Sequence, residues 1–327
     1  MVPRPLEQTE VTMSPRAEYR KLIRDRAGHV MPGVYDALSA RIAERAGFKL
    51  IGGGGFSAIG TMMAGADMGQ SNMRDYAEHY GRICAAVNIP VSVDADTGFG
   101  DVHNVTQMVR SFETAGVSAI MLGDQSFPNR CGYLPGKDVI QVEEMVAKIR
   151  AAVAARRDPD LVIIARTDSR STLGLDEAIM RCKLYLEAGA DLAKPQGVDR
   201  PEEIARCMEE IPCEFMATLS QAARQRFTDI AALKAQGVAT ISMPSISLFA
   251  AAHAVDATLR SLAAGGSLAS VETGLMPLDD YNELVNLNGM IANEIRFREE
   301  AAGLVQRHSA QSTTHFSATI DMGGNVR

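Results

Sequence analysis

Eight short β-type runs separated by helical patterns constrain this chain more than any other feature. The runs are His29–Tyr35, Lys49–Gly52, Pro90–Asp94, Ser118–Leu122, Leu161–Thr167, Asp191–Lys194, Cys213–Thr218 and Val238–Met243. Between them, apolar residues recur at helical spacing over Ala37–Ala46, Asn72–Val87, Asn104–Ala115, Val142–Arg156, Leu175–Ala188, Pro201–Ile211 and Asp229–Ala235. A charged amphipathic helix, Ala17–Gly28, precedes the first run. Four helical stretches end in Ala46-Gly47, Ala115-Gly116, Ala188-Gly189 and Gln236-Gly237, where glycine takes the left-handed cap that returns the chain to the sheet. Strands apolar on both faces and joined by helices belong to a parallel sheet covered on both sides. Eight such units fit a (β/α)₈ TIM-type barrel of about 250 residues, which has no open edge. A doubly wound sheet would place a phosphate-type glycine loop after its first strand, whereas this strand runs into Tyr35-Asp36-Ala37.

The barrel is assigned to residues 17–265, after an arm at 1–16 and before a helical extension and tail at 266–327. Within the extension, helices are expected near Leu278–Leu287 and Gly289–Gly303, and Gln306–Arg327 is expected to be mobile at its end. A net charge of −7 argues against nucleic acid or an acidic membrane as partner. No apolar run reaches the ~18–20 residues that span a bilayer, and the first residues hold no apolar signal core. The five cysteines (84, 131, 182, 207, 213) are scattered and lack metal-ligand spacing, so the expectation is a reduced, cytoplasmic protein without zinc.

The chemistry concentrates in Val91-Ser-Val-Asp94-Ala-Asp96-Thr-Gly-Phe-Gly100, an apolar run that ends in two carboxylates and a glycine-bracketed turn. Strand parity puts Ser92, Asp94 and Asp96 on one face, with neighbours about 6–7 Å apart. Like charges so placed call for a hard divalent cation, Mg²⁺ first and Mn²⁺ as an alternative. Active sites of barrels lie at the C-terminal strand ends. Those ends carry Tyr35, Gly52–Gly55, Asp94 and Asp96, Asp124, Arg166 and Asp168, Lys194 and Gln196, and Thr218. Acidic groups and two cations, Arg166 and Lys194, on neighbouring strands suit a small anionic carboxylate that chelates a metal. The loop Gln125–Lys137, rich in turn residues, can act as a lid, and Arg130 beside Cys131 would favour its thiolate.

Three motifs carry a family resemblance: Asp94-Ala-Asp-Thr-Gly-Phe-Gly100, Asp124-Gln125 with Arg130-Cys131-Gly132, and Ile164-Ala-Arg166-Thr-Asp168. They resemble the isocitrate lyase/phosphoenolpyruvate mutase superfamily, above all its 2-methylisocitrate lyase and carboxyphosphonoenolpyruvate mutase branch, over residues 17–265. The resemblance implies Mg²⁺ around Asp96, with Asp94 acting through water and Asp124 alongside. It implies Gly52, Gly53 and Gly54 around the oxo-acid carboxylate, and Arg130, Gly132, Gln196 and Thr218 on the substrate. Cys131 would protonate the carbanion and Arg166 would stabilise negative charge. Tyr35 is a candidate for the hydroxyl proton. Lys194 is a candidate Schiff-base lysine or a counter-charge for the aspartates. A homo-oligomer, tetramer or dimer, with C-terminal helices exchanged between subunits is also implied.

The implied reaction is Mg²⁺-dependent carbon–carbon cleavage of a 2-hydroxy di- or tricarboxylate, isocitrate- or 2-methylisocitrate-like, to pyruvate or glyoxylate plus a carboxylic acid. The chain departs from the family lyases at Gly123, Gln196, Ala217 and Phe249, positions that carry a metal-shell acid or hold the far carboxylates in those enzymes. A substrate less carboxylated or more apolar than isocitrate follows. The alternatives are oxaloacetate decarboxylation or hydrolysis, phosphonopyruvate-type P–C chemistry, a Schiff-base aldolase using Lys194, and a non-catalytic dicarboxylate-binding relative.

Overall fold

The computed structural model describes residues 13–221 and 228–320. The chain divides into two compact units, Met1–Arg260 and Ser261–Arg327. In the first, eight parallel strands form a nearly closed barrel: β1 (His29–Val34), β2 (Ile51–Gly53), β3 (Val91–Asp94), β4 (Ala119–Gly123), β5 (Val162–Thr167), β6 (Leu192–Pro195), β7 (Met216–Thr218) and β8 (Thr240–Met243). Their order is β6-β5-β4-β3-β2-β1-β8-β7, and β1 closes on β8 with His29 opposite Thr240. The order leaves β6 and β7 without a ladder between them among the described residues. Side chains fasten that seam instead. The Ala193 N–H donates to Cys213 Sγ at 3.5 Å, and Lys194 Nζ donates to Thr218 Oγ1 at 2.7 Å.

The helix α1 (Pro15–Arg24) decides which end of the barrel is open. It is capped by Ser14, whose Oγ accepts the Ala17 N–H, and it starts at Pro15, where the missing N–H costs nothing. Its buried face, Tyr19, Leu22 and Ile23, joins Met31, Ala119, Ile164, Leu192 and Met216 in one apolar cluster inside the barrel. Arg16 and Arg20 hold it there by donating to backbone carbonyls at strand starts, Val117 at 2.9 Å and Leu161 at 3.2 Å. With that mouth filled, only the C-terminal ends of the strands remain for a site.

The outer layer comprises α2 (Ala37–Arg45), α3 (Gly55–Met63), α4 (Met73–Ala86), α5 (Val102–Thr114), α6 (Val142–Ala155), α7 (Leu175–Glu187), α8 (Pro201–Glu210), α9 (Ile230–Gln236) and α10 (Ile246–Ala263). The strands and helices lie within a few residues of their expected positions. The four capping glycines, 47, 116, 189 and 237, have φ between 80° and 107°, where a side chain would be strained. Helix α3 is the exception. Its glycine-led start has poor helix propensity and hides the apolar period, yet Ala58 and Ile59 are fully buried.

The second unit holds α11 (Leu268–Val271), α12 (Leu278–Leu284) and α13 (Leu287–Ile320). Helix α13 continues well beyond Gly303, so Gln306–Ile320 is helical; residues 321–327, the end of the expected mobile tail, lie outside the described residues. No glycine or proline stands between Gly303 and Gly323 to stop it. Pro15 and Arg16, assigned to the arm, already belong to α1, and residues 1–12 lie outside the described residues. Among the described residues no helix is long and apolar enough to cross a membrane.

Candidate active site

A cavity of about 130 Å³ opens at the C-terminal strand ends. Asp94, Asp96 and Gly52–Gly54 line its acidic side, Arg166, Lys194, Gln196 and Thr218 its cationic side, and Arg130, Cys131 and Gly132 its cover. Phe56 and Phe249 also line it, and their rings meet edge to face with centroids 5.6 Å apart.

Strand parity does not explain how the two aspartates come together. Strand β3 ends at Asp94, and Asp96 sits in the following turn at φ 47°, a left-handed conformation that aspartate tolerates better than most residues. Its carbonyl accepts the Gly123 N–H at 2.8 Å, which locks the turn onto β4. Burial, reinforced by Asp94 and Asp67, pushes the Asp96 carboxyl up to about 7. Asp67, a residue the sequence reading passed over, is raised to about 6 by burial and Asp94. It precedes α4 in a polar, glycine-bearing stretch that reads as an ordinary surface turn.

Three carboxylates around one cavity repel each other, and two buried oxygens lack protein partners there: Asp67 Oδ1 and Asn129 Oδ1. A Cβ on Gly55 would lie 3.0 Å from both Asp96 Oδ1 and Tyr76 Oη, so glycine is what lets α3 start against the acids. Among the described residues, no three acidic, histidine or cysteine side chains converge as a ready metal cage. Two hard carboxylates and orphaned oxygens nevertheless fit Mg²⁺, which keeps several waters and binds few protein ligands. Helix α3 adds the first turn's backbone N–H groups, which have no intrahelical acceptor and face the glycine-lined wall, a suitable cradle for a carboxylate.

On the cationic side, Arg166 forks onto Asp168, with Nε to Oδ2 at 2.8 Å and a terminal nitrogen to Oδ1 at 3.2 Å. Burial disfavours both charges, yet each partner holds the other ionised, and Lys137 adds to the hold on Asp168. Lys137 reaches down from the covering loop, donating to Asp168 Oδ1 at 2.9 Å and to the Gly132 carbonyl at 2.6 Å. Gln125 clamps the loop further by bonding both the N–H and the carbonyl of Arg130. A Cβ on Gly132 would come within 2.7 Å of the Arg166 guanidinium, so the loop closes this tightly only with glycine there.

Cys131 is thereby held over the cavity, its N–H donating to the Asp67 carbonyl at 3.3 Å. Burial pushes its thiol up, although Arg166 and Lys137 pull the other way. The expected Arg130-stabilised thiolate is therefore corrected to a neutral thiol. The Arg130 guanidinium turns aside and donates to the Pro135 carbonyl at 3.2 Å.

Two expected site residues lie elsewhere. Asp124 is fully buried and does not line the cavity: its oxygens accept from Arg181 at 3.2 Å, Tyr185 at 2.8 Å and the Asp168 N–H at 2.9 Å. Held by these three bonds and set back from the cavity wall, it positions the Asp168 backbone. Asp124→Ala is expected to destabilise the fold by about 1–3 kcal/mol in chemical denaturation, because the buried Tyr185 hydroxyl and Asp168 N–H would lose their acceptor and Arg181 would keep only Glu177 as counter-ion. Tyr35 lies beyond the end of β1 and does not line the cavity, and burial and Asp36 raise its phenol, which weighs against a role as base.

The family model described as phosphoenolpyruvate phosphomutase matches residues 19–263. The chain is 35% identical over 275 residues to 2,3-dimethylmalate lyase of Eubacterium barkeri, covering 84% of this chain and 95% of that enzyme. It resembles oxaloacetate acetylhydrolase solved with 3,3-difluorooxalacetate (TM-score 0.80, 29% identity, 85% and 95% of the two chains). It also resembles phosphonopyruvate hydrolase solved with oxalate and Mg²⁺ (TM-score 0.77, 31% identity, 87% and 99%).

Proposed function

Because the chain belongs to the phosphoenolpyruvate mutase family, within the superfamily of C–C and P–C bond lyases, we propose that it is a Mg²⁺-dependent carbon–carbon lyase. Its substrate would be a 2-hydroxy dicarboxylate with small apolar substituents, cleaved to a 2-oxo acid and a carboxylic acid. The observation that carries this reading is the Cys131 thiol, pushed up by burial, lining the same cavity as the Asp94/Asp96 pair and Arg166. Phe56 and Phe249 supply an apolar wall where a third carboxylate would be unwelcome, which favours an alkylated malate over isocitrate.

Mg²⁺, held by Asp94 and Asp96 with water at its other positions, would supply Lewis-acid stabilisation of charge on the substrate oxygen. The chain does the rest. Gly52–Gly54 and the α3 amides hold the carboxylate beside the scissile bond. Arg166, oriented by Asp168, balances the negative charge that develops on cleavage. The substrate hydroxyl gives its proton to the carboxylates of the acidic wall as the C–C bond breaks, Cys131 donates its proton to the carbon released, and the clamped loop excludes bulk water. Five free cysteines support a reducing, cytoplasmic setting, and exposed apolar side chains on α13 such as Met290, Ile295 and Phe297 support a homo-oligomer.

Proton NMR of turnover across methylated malates, isocitrate, oxaloacetate and phosphonopyruvate, with Mg²⁺ or chelator, tests the reading. Chelator-sensitive release of a 2-oxo acid from a methylated malate is expected. Preference for isocitrate, or release that persists in chelator, would overturn it. Oxaloacetate hydrolysis and P–C cleavage form the second reading, supported by the two structural neighbours.

A further inference from the structure

We propose that Lys194 anchors a second carboxylate of the substrate, the one remote from Asp94 and Asp96, so that the site selects dianionic dicarboxylates. The inference rests on the lyase reading and names the group that recognises the far end.

Lys194 lines the cavity and is only 5% exposed. It sits directly opposite Arg166 in the β5–β6 register, so two cations stand side by side at one wall. Arg166 has its counter-ion in Asp168; Lys194 has none among the described residues. Asp168, at the end of β5, and Asp191, just before β6, are both occupied, the first by Arg166 and Lys137 and the second by Arg20 and Arg156. One ammonium proton goes to Thr218 Oγ1 at 2.7 Å. The other two have no acceptor in the described hydrogen-bond network.

A buried cation without a counter-ion is costly to the fold, and an anionic ligand is the group that relieves it. Burial and the neighbouring Arg166 push the ammonium down to about 8, and the more distant pull of Asp94 and Asp168 does not offset them. A carboxylate bound here accepts the two remaining protons while Thr218 fixes the direction of the ammonium. Such an arrangement leaves the Asp94/Asp96 end free for the 2-hydroxy or 2-oxo carboxylate.

Calorimetry on the Mg²⁺-loaded protein with two probes tests this: pyruvate, which lacks a far carboxylate, and 3,3-difluorooxaloacetate, which has one. Lys194→Met is expected to weaken difluorooxaloacetate binding by about 100-fold and pyruvate binding by less than about threefold, with partial recovery in Lys194→Arg. Without ligand, Lys194→Met should melt at or above the parent temperature, because an uncompensated buried charge has been removed. Equal losses for both probes, or no loss for either, would overturn the inference and leave the lyase reading standing. Failure of the parent protein to bind either probe would overturn both. A borohydride-trapped adduct between Lys194 and the oxo acid would replace the anchor with a covalent role.

Discussion

Replacing Asp96 with asparagine is expected to lower kcat/KM by about 10³-fold while leaving a fully folded protein. Asparagine tolerates the left-handed conformation at φ 47° as aspartate does, so the turn should survive the change. The effect on stability has a definite sign. The Asp96 carboxyl is raised in the folded protein to about 7 from an ordinary value of 3.8. The folded state therefore keeps a proton that the unfolded chain releases. The stability this contributes is present below about pH 4 and is lost as pH rises through about 7. At pH 8 in chelator, the asparagine variant should match or exceed the parent in thermal stability, because one of three crowded charges is gone. Added Mg²⁺ should raise the melting temperature of the parent and not that of the variant. Near-normal turnover in the variant, or an equal Mg²⁺ response in both proteins, would remove Asp96 from the metal site.

Cys131→Ser should cost about 10²–10⁴-fold in kcat with little change in KM, the range for losing a positioned general acid. The thiol is held neutral by burial, so it has a proton to give at neutral pH, and a serine hydroxyl is a far weaker acid. Activity of the parent should fall on the alkaline side as the thiol ionises. In deuterated water, the parent should place one deuterium stereospecifically on the released carboxylic acid. Whatever slow cleavage the serine variant retains should give a mixture of the two stereochemical outcomes. A kcat within threefold of the parent, with stereospecific labelling intact, would show that another group delivers the proton.

The barrel was legible because its signals are local and repeated. Glycines at 47, 116, 189 and 237 mark helix ends, and both-face apolar runs mark buried parallel strands. Asp94, Arg166 and Lys194 were legible for the same reason, since a residue at a strand's C-terminal end faces the mouth by topology alone. The misses share the opposite cause. Asp67 reaches the site from a turn remote in sequence from the other acids, and Tyr76 from a helix that packs closely on Gly55. Asp124 stands at the right place in the chain, but Arg181 and Tyr185, some sixty residues later, draw it away from the cavity. The upward push on the Cys131 thiol comes from the covering loop folding against the barrel mouth, which no neighbour in sequence encodes.

Lys137 rides on the covering loop and places its ammonium on Asp168, the carboxylate that also orients Arg166. Closing the loop therefore imports a positive charge into the mouth of the barrel, and opening it exports that charge. An anion in the cavity and the closed loop must then favour one another to the same degree, since the coupling between two binding events is reciprocal. The protein gains a means of telling a full site from an empty one by net charge: a dianion tightens the cover more than a monoanion does. Cleavage turns one dianion into two monoanions, so the cover should loosen once the bond is broken.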